Sequence, residues 1–239
     1  LTLDDAIHTS QDITGIFDRI RDEKVRCNVS VKLTQLGLAL DPELSHQNLL
    51  AIAQQARKNS NFVRIDMEDS PYTQRTLDII VGVHERVENV GDVIQAYLYR
   101  SEQDARRLLE QGIGIRLVKG AYLEPASVAF RKKRDTDANF LKLMRILLTS
   151  KPYAAIATHD EFIIVATKEF ARTQGISKDH FEFQMLYGIR RDLQLQLAKE
   201  GYNIRIYIPY GRRWYPYFMR RLAVRPANMV FLAKSLLRD

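Results

Sequence analysis

The chain is expected to fold as an α/β protein, a single (βα)8 barrel of the TIM type, and three observations carry that expectation. Short apolar runs alternate along the whole sequence with longer segments of helical period. Nearly every run ends in a polar or charged residue. No Gly-x-Gly-x-x-Gly follows an early run, which sets aside an open dinucleotide-binding sheet.

The runs predict strands at residues 28–33, 62–66, 93–96, 114–118, 154–157, 181–185 and 204–208, with a weaker first strand at 1–3. Between them, helices are predicted at 13–24, 43–59, 72–87, 101–111, 129–148, 161–174 and 190–200. Their ends are marked chemically. Asp41-Pro42 sets a cap residue before a proline suited to the first helical position, and Ser101 precedes acidic first-turn residues. Gly175 and Gly201 stand where a helix C-terminus favours glycine. Strands alternating with helices imply parallel βαβ units. Seven strands and a weak eighth spread over 239 residues fill one barrel, and no linker composition divides it, so residues 1–239 read as one domain.

Composition narrows the function classes. Hydrophobic residues make up 46% and charged residues 27%, as in an ordinary globular domain. Lys plus Arg number 36 against 29 Asp plus Glu, a net charge of +7 that favours anionic partners without choosing among them. No aromatic-interleaved basic stripe or zinc-finger spacing supports nucleic-acid binding. The single cysteine, Cys27, excludes an intramolecular disulfide and a multi-cysteine metal site, and beside an apolar run it reads as a small core residue. No stretch approaches the roughly 20 apolar residues of a membrane span, and no signal-peptide pattern opens the chain. The chain begins with Leu1, so it reads as a fragment or processed product, and its expected compartment is cytoplasmic.

In such a barrel, active-site groups gather at the C-terminal ends of the strands. Those ends carry Lys32, Asp66, Gln95, Arg116 with Lys119, Thr158 with His159, Gln184 and Tyr207. Buried charge costs several kcal/mol unless paired, so a purely structural barrel has no use for this ring. In the segment Arg116-Leu117-Val118-Lys119-Gly120-Ala121-Tyr122, two cations and a glycine close one strand, a design suited to an anionic group.

Seven ordered blocks resemble the proline dehydrogenases: residues 29–34 (VSVKLT), 64–68 (RIDME), 95–97 (QAY), 116–122 (RLVKGAY), 157–159 (ATH), 181–188 (FEFQMLYG) and 215–222 (YPYFMRRL). Each is weak alone; together they are specific and cover the chain from residue 28 on. The first 27 residues match poorly, and the helices that usually precede the barrel are expected to be absent. The resemblance implies a distorted barrel with a C-terminal helix over its mouth. It also implies FAD as cofactor and oxidation of L-proline to 1-pyrroline-5-carboxylate by hydride transfer to flavin N5, with a quinone as electron acceptor.

On this resemblance Asp66 and Arg116 are catalytic residues. Lys32, Leu117, Tyr207, Tyr217, Arg220 and Arg221 line the substrate. The guanidinium forks of Arg220 and Arg221 suit a planar carboxylate, and Lys32 adds a third positive charge. Asp66 either pairs with Lys32 or Arg116 or helps hold the substrate amine deprotonated. Met67, Gln95, Arg116, Lys119, Gly120, Ala121, Thr158, His159 and Gln184 form the cofactor site. There Gln95 bonds the polar edge of the flavin ring, Arg116 faces developing negative charge, and small residues after Lys119 let backbone amides approach phosphate. Thr158 and His159 contact either the ribityl chain or the pyrophosphate. No metal is expected.

Two departures stand out. Val224 occupies the position where the family carries a glutamate, one helical turn from both Arg220 and Arg221, so nothing there pins a guanidinium. Arg212 and Arg213 stand where related sequences tend to be acidic or polar. They suggest peripheral contact with anionic membrane, each basic side chain contributing about 1 kcal/mol. Two other readings compete with the dehydrogenase: a Schiff-base aldolase using Lys32 or Lys119, and a barrel homologue with impaired catalysis. Val224→Glu is expected to raise kcat/KM for proline in a dye-reduction assay; an unchanged value contradicts the pinning argument. Sedimentation with vesicles is expected to favour anionic over neutral lipid, and equal binding removes the membrane contact.

Overall fold

The structure is a computed structural model and describes residues 2–211. The expected C-terminal helix, Tyr217, Arg220, Arg221, Val224, Arg212 and Arg213 lie outside the described residues.

A helix opens the chain. In α1 (Leu3–Asp22) the Thr2 hydroxyl accepts from the Asp5 amide while the Asp5 carboxylate accepts from the Thr2 amide, a reciprocal cap that satisfies two orphan donors. This corrects the expectation of a strand at residues 1–3: Leu3 is helical. It also corrects the expectation that no helix precedes the barrel. The helix packs on α2 (Pro42–Lys58), where Asp18 accepts from Gln55 at 2.9 Å and Asn59 at 3.2 Å. Cys27, expected in the core, is exposed in the connection that follows α1.

Seven parallel strands come next: β1 (Val29–Val31), β2 (Val63–Ile65), β3 (Val90–Gln95), β4 (Gly114–Val118), β5 (Ala154–Ala157), β6 (Phe181–Leu186) and β7 (Asn203–Tyr207). Between them run α2, α3 (Ser70–His84), α4 (Ser101–Glu110), α5 (Lys133–Leu148), α6 (Glu161–Thr173) and α7 (Arg191–Lys199). Among the described residues each strand pairs only with its neighbours in sequence, the winding of a barrel rather than of an open doubly wound sheet. The sheet curls far enough for Tyr207 of β7 to donate to Asp66, just past β2, at 2.9 Å.

Alternation divides each strand into two faces. On β6, Phe181, Phe183 and Met185 enter the apolar core that lies between sheet and helices, while Glu182 and Gln184 face the barrel interior. The rings of Phe181 and Phe183 meet edge to face at 5.6 Å. Strand registry carries the interior row across the sheet, from Arg116 through Ala155 to Glu182 and Asn203.

Asp92 of β3 is fully buried, with one oxygen on the Val93 amide and the other without a partner. Burial pushes its carboxyl up to about 8. A folded-state value raised above the unfolded one gives stability that is complete in acid and is lost as pH rises toward 8. Asp92→Asn is therefore expected to match the unmodified protein near pH 4 and to melt a few degrees higher at pH 8. Thermal melts across that range check this, and a constant difference contradicts it.

Candidate active site

Three strands deliver side chains to one carboxylate at the exit of a fourth. Asp66 follows β2, and its amide is fixed on the Val31 carbonyl at 2.8 Å. One Asp66 oxygen accepts from Arg116 of β4 at 2.7 Å; the other accepts from Lys32, just past β1, at 3.3 Å and from the Tyr207 hydroxyl at 2.9 Å. Arg116 also donates to Ser30 of β1 at 3.0 Å and lies over the Tyr207 ring, 5.4 Å from its centroid. Arg116 is 5% exposed, so this pairing is what makes its burial tolerable. Asp66 thus pairs with both of the cations the sequence offered as alternatives.

Lys32 is half-buried. Burial opposes its charge, but Asp66, the Tyr122 phenol and Glu68 outweigh that, and its pKa is held above the ordinary value. Burial pushes the Tyr122 phenol up as well, with Lys32 opposing and Glu68 and Asp66 adding to the rise.

The other expected residues are placed as follows. Gln95 is buried and donates to the Glu68 carbonyl at 2.9 Å. Lys119 is bound between two carboxylates, Asp137 at 2.5 Å and Asp160 at 2.7 Å, and Lys133 bonds the same pair. Both carboxyls lie below their usual range because these lysine contacts outweigh the opposing effect of burial. Gly120 has φ +114°, and a Cβ there would stand 2.3 Å from the Tyr97 ring, so only glycine fits. Thr158 is buried, and its hydroxyl accepts from the Asp160 amide at 3.1 Å. His159 accepts from the Leu186 amide at 2.9 Å through Nε2. Gln184 donates to Glu182, which also holds Arg205 bidentately at 2.8 and 3.0 Å. Ala121 is exposed at the same strand exit. Leu117 and Met67 are buried in the apolar core, and alternation sets Leu117 on the face opposite Arg116. These two are not brought to the polar cluster.

Several participants escaped the strand-end reading. Ser30 and Glu182 lie on the interior face within strands rather than at their exits. Glu68 accepts from the Thr34 amide at 3.0 Å and hydroxyl at 2.7 Å, joining the loops that follow β1 and β2. Glu124 accepts from the Ser70 amide at 2.7 Å and hydroxyl at 2.6 Å, tying the loop that carries Tyr122 to the start of α3. The spacing of Glu68 two residues after Asp66, and of Glu124 two after Tyr122, was the available signal. Among the described residues no group of three His, Cys, Asp or Glu side chains is arranged to hold a metal ion.

The class defined by these features is an α/β barrel whose strand exits hold a cationic, aromatic-lined site balanced by one shared carboxylate. The family model described as proline dehydrogenase matches residues 2–234, which includes nearly all of the first 27 residues that motif comparison had left out. Proline dehydrogenase 2 of Bacillus subtilis (strain 168) is 49% identical over 217 residues, covering 91% of this chain and 72% of that protein. Proline dehydrogenase of Deinococcus radiodurans is 43% identical over 235 residues, covering 96% of this chain and 76% of that protein. The crystal structure of proline utilization A from Bdellovibrio bacteriovorus, inactivated by N-propargylglycine, superposes with a TM-score of 0.85 at 25% identity. That match covers 93% of this chain and only 28% of the larger protein. The chain belongs to the proline dehydrogenase family, a family of oxidoreductases of proline catabolism.

Asp66→Asn is expected to lower kcat/KM on the order of 100-fold, the usual consequence of misplacing a positioning group. It also removes the leading attraction that raises Lys32, so any basic limb due to Lys32 moves to lower pH. A pH–rate profile whose basic limb stays in place contradicts the Asp66–Lys32 coupling.

Proposed function

We propose that this chain oxidises L-proline to 1-pyrroline-5-carboxylate with FAD as cofactor and a quinone as electron acceptor, the first step of proline catabolism. The observation that carries this reading is the convergence of Arg116, Lys32 and Tyr207 on Asp66 at the strand exits. FAD held by these residues would supply the two-electron redox chemistry that links proline to the quinone.

The residues present fit that cofactor. The Arg116 Nε is buried without a partner, and Gln95 and Lys119 stand at adjacent strand exits. The amides of Gly120 and Ala121 donate to no acceptor among the described residues, and the positive φ of Gly120 exposes backbone where a side chain would stand. Lys119 already shares its charge with Asp137 and Asp160, so these amides carry more of the recognition of phosphate. Lys32, with Arg220 and Arg221, takes the proline carboxylate. Asp66 keeps Lys32 and Arg116 in position and favours loss of the amine proton. Tyr207 and Tyr217 give the ring an apolar wall.

Lysine chemistry is disfavoured by the same geometry. A Schiff-base lysine needs a depressed pKa. Lys32 is raised, and Lys119 is held by two carboxylates. Among the described residues no helix is long and apolar enough to cross a membrane, and contact with a quinone-bearing membrane is proposed through Arg212 and Arg213. Visible absorbance of the purified protein with FAD, recorded without oxygen, is expected to show flavin bands that bleach on adding L-proline. Bands that persist contradict the substrate, and failure to bind FAD contradicts the cofactor.

A further inference from the structure

Arg64 is a cation built into the barrel wall without a carboxylate on it. It sits on β2 two residues before Asp66, about 7 Å back along the strand and on the same interior face. It is 3% exposed, makes no ion pair among the described residues, and its Nε has no acceptor. Nη1 donates to two backbone carbonyls, Asp92 at 3.0 Å and Gly114 at 2.6 Å, and the guanidinium lies 4.8 Å over the Phe62 ring.

The sequence makes room for it. The registered neighbour of Arg64 on β3 is Gly91, and that of Gly91 on β4 is Gly114. A Cβ at Gly91 would stand 2.5 Å from Arg64 Nη1 and 2.6 Å from the Gly114 carbonyl. Two adjacent strands thus give up a side chain where the guanidinium passes. A buried charge with no carboxylate in contact is costly, and Glu182 and Asp92 attract it only from a distance, so stability alone does not call for this arrangement. Burial and then the repulsion of Arg116, against the attraction of Glu182 and Asp92, push Arg64 down to about 9, which leaves it charged at neutral pH.

The interior face as a whole is cationic. Arg205 is spent on Glu182, and Lys32 and Arg116 share Asp66. Among the described residues of that face, Arg64 is the remainder. We propose that Arg64 tunes the bound flavin: its unpaired charge stabilises the negative charge that two-electron reduction places on the ring and so raises the flavin's reduction potential. This inference rests on the FAD reading above. Its effect is exerted through the low-dielectric barrel wall, and Arg64 touches neither substrate nor cofactor in this account.

The test uses the full chain loaded with FAD, as the unmodified protein, Arg64→Lys and Arg64→Gln, with midpoint potentials read against reference dyes. Both variants lose the guanidinium bonds to Asp92 and Gly114; only the second loses the charge. Arg64→Gln is expected to lower the potential by the equivalent of a tenfold change in equilibrium constant, about 30 mV for a two-electron couple. Arg64→Lys is expected to stay near the unmodified value. Equal potentials in the two variants, or a Gln variant unmoved, overturn the proposal. Flavin retained by Arg64→Lys and lost by Arg64→Gln supports a need for charge, whereas loss by both shows a packing role and overturns it. Unmodified protein that binds no FAD sinks the cofactor reading itself.

Discussion

A charge on the inner wall of a barrel has little access to water and must find its partner across the wall. Asp66 meets that constraint for much of this structure. Its two oxygens accept from a guanidinium, an ammonium and a phenol that arrive from three other strands or their exits. The attraction does two things at once. It offsets the desolvation of Arg116, and it ties β7 to the exit of β2 across the curled sheet. Local order follows from it: Ser30 takes the free end of Arg116, and Tyr207 packs its ring beneath the same guanidinium.

The barrel is therefore polar inside and apolar outside, with alternation along each strand keeping the two apart. Phe181 and Phe183 pack outward where Glu182 and Gln184 point in, so a shift of one residue in β6 would exchange its core for its charges. That register is what lets the interior face hold more cations than carboxylates among the described residues. The loops follow the same logic at lower cost. Glu68 joins the exits of β1 and β2, and Glu124 holds the Tyr122 loop against α3, each with a pair of short bonds to backbone and hydroxyl.

Strands were legible where an apolar run met a clean boundary. The predicted 114–118 and 154–157 coincide with β4 and β5. β3 begins three residues earlier than its predicted start, taking in Gly91, which makes room for Arg64, and Asp92, which is buried. α1 was started too late because Thr2 and Asp5 cap each other ahead of the first apolar repeat. α5 starts at Lys133 rather than 129, since Ala129 pairs with Leu98 in an isolated bridge. Polar side chains at strand exits are legible because an exit is a sequence position. Ser30, Arg64 and Glu182 are not, because their roles depend on which face of the strand they occupy and on which distant strand lies opposite. Leu117 is adjacent to Arg116 in sequence but packs in the apolar core.

The central claim is that Asp66 and Arg116 act as one unit, and a double-mutant cycle tests it most directly. Asp66→Ala, Arg116→Ala and the pair would be compared by kcat/KM for proline with FAD saturating. If the two residues form one unit, the double variant is expected to be little worse than the poorer single variant, because the first substitution has already dissolved the pair. Losses that simply add would show two independent residues and contradict the account.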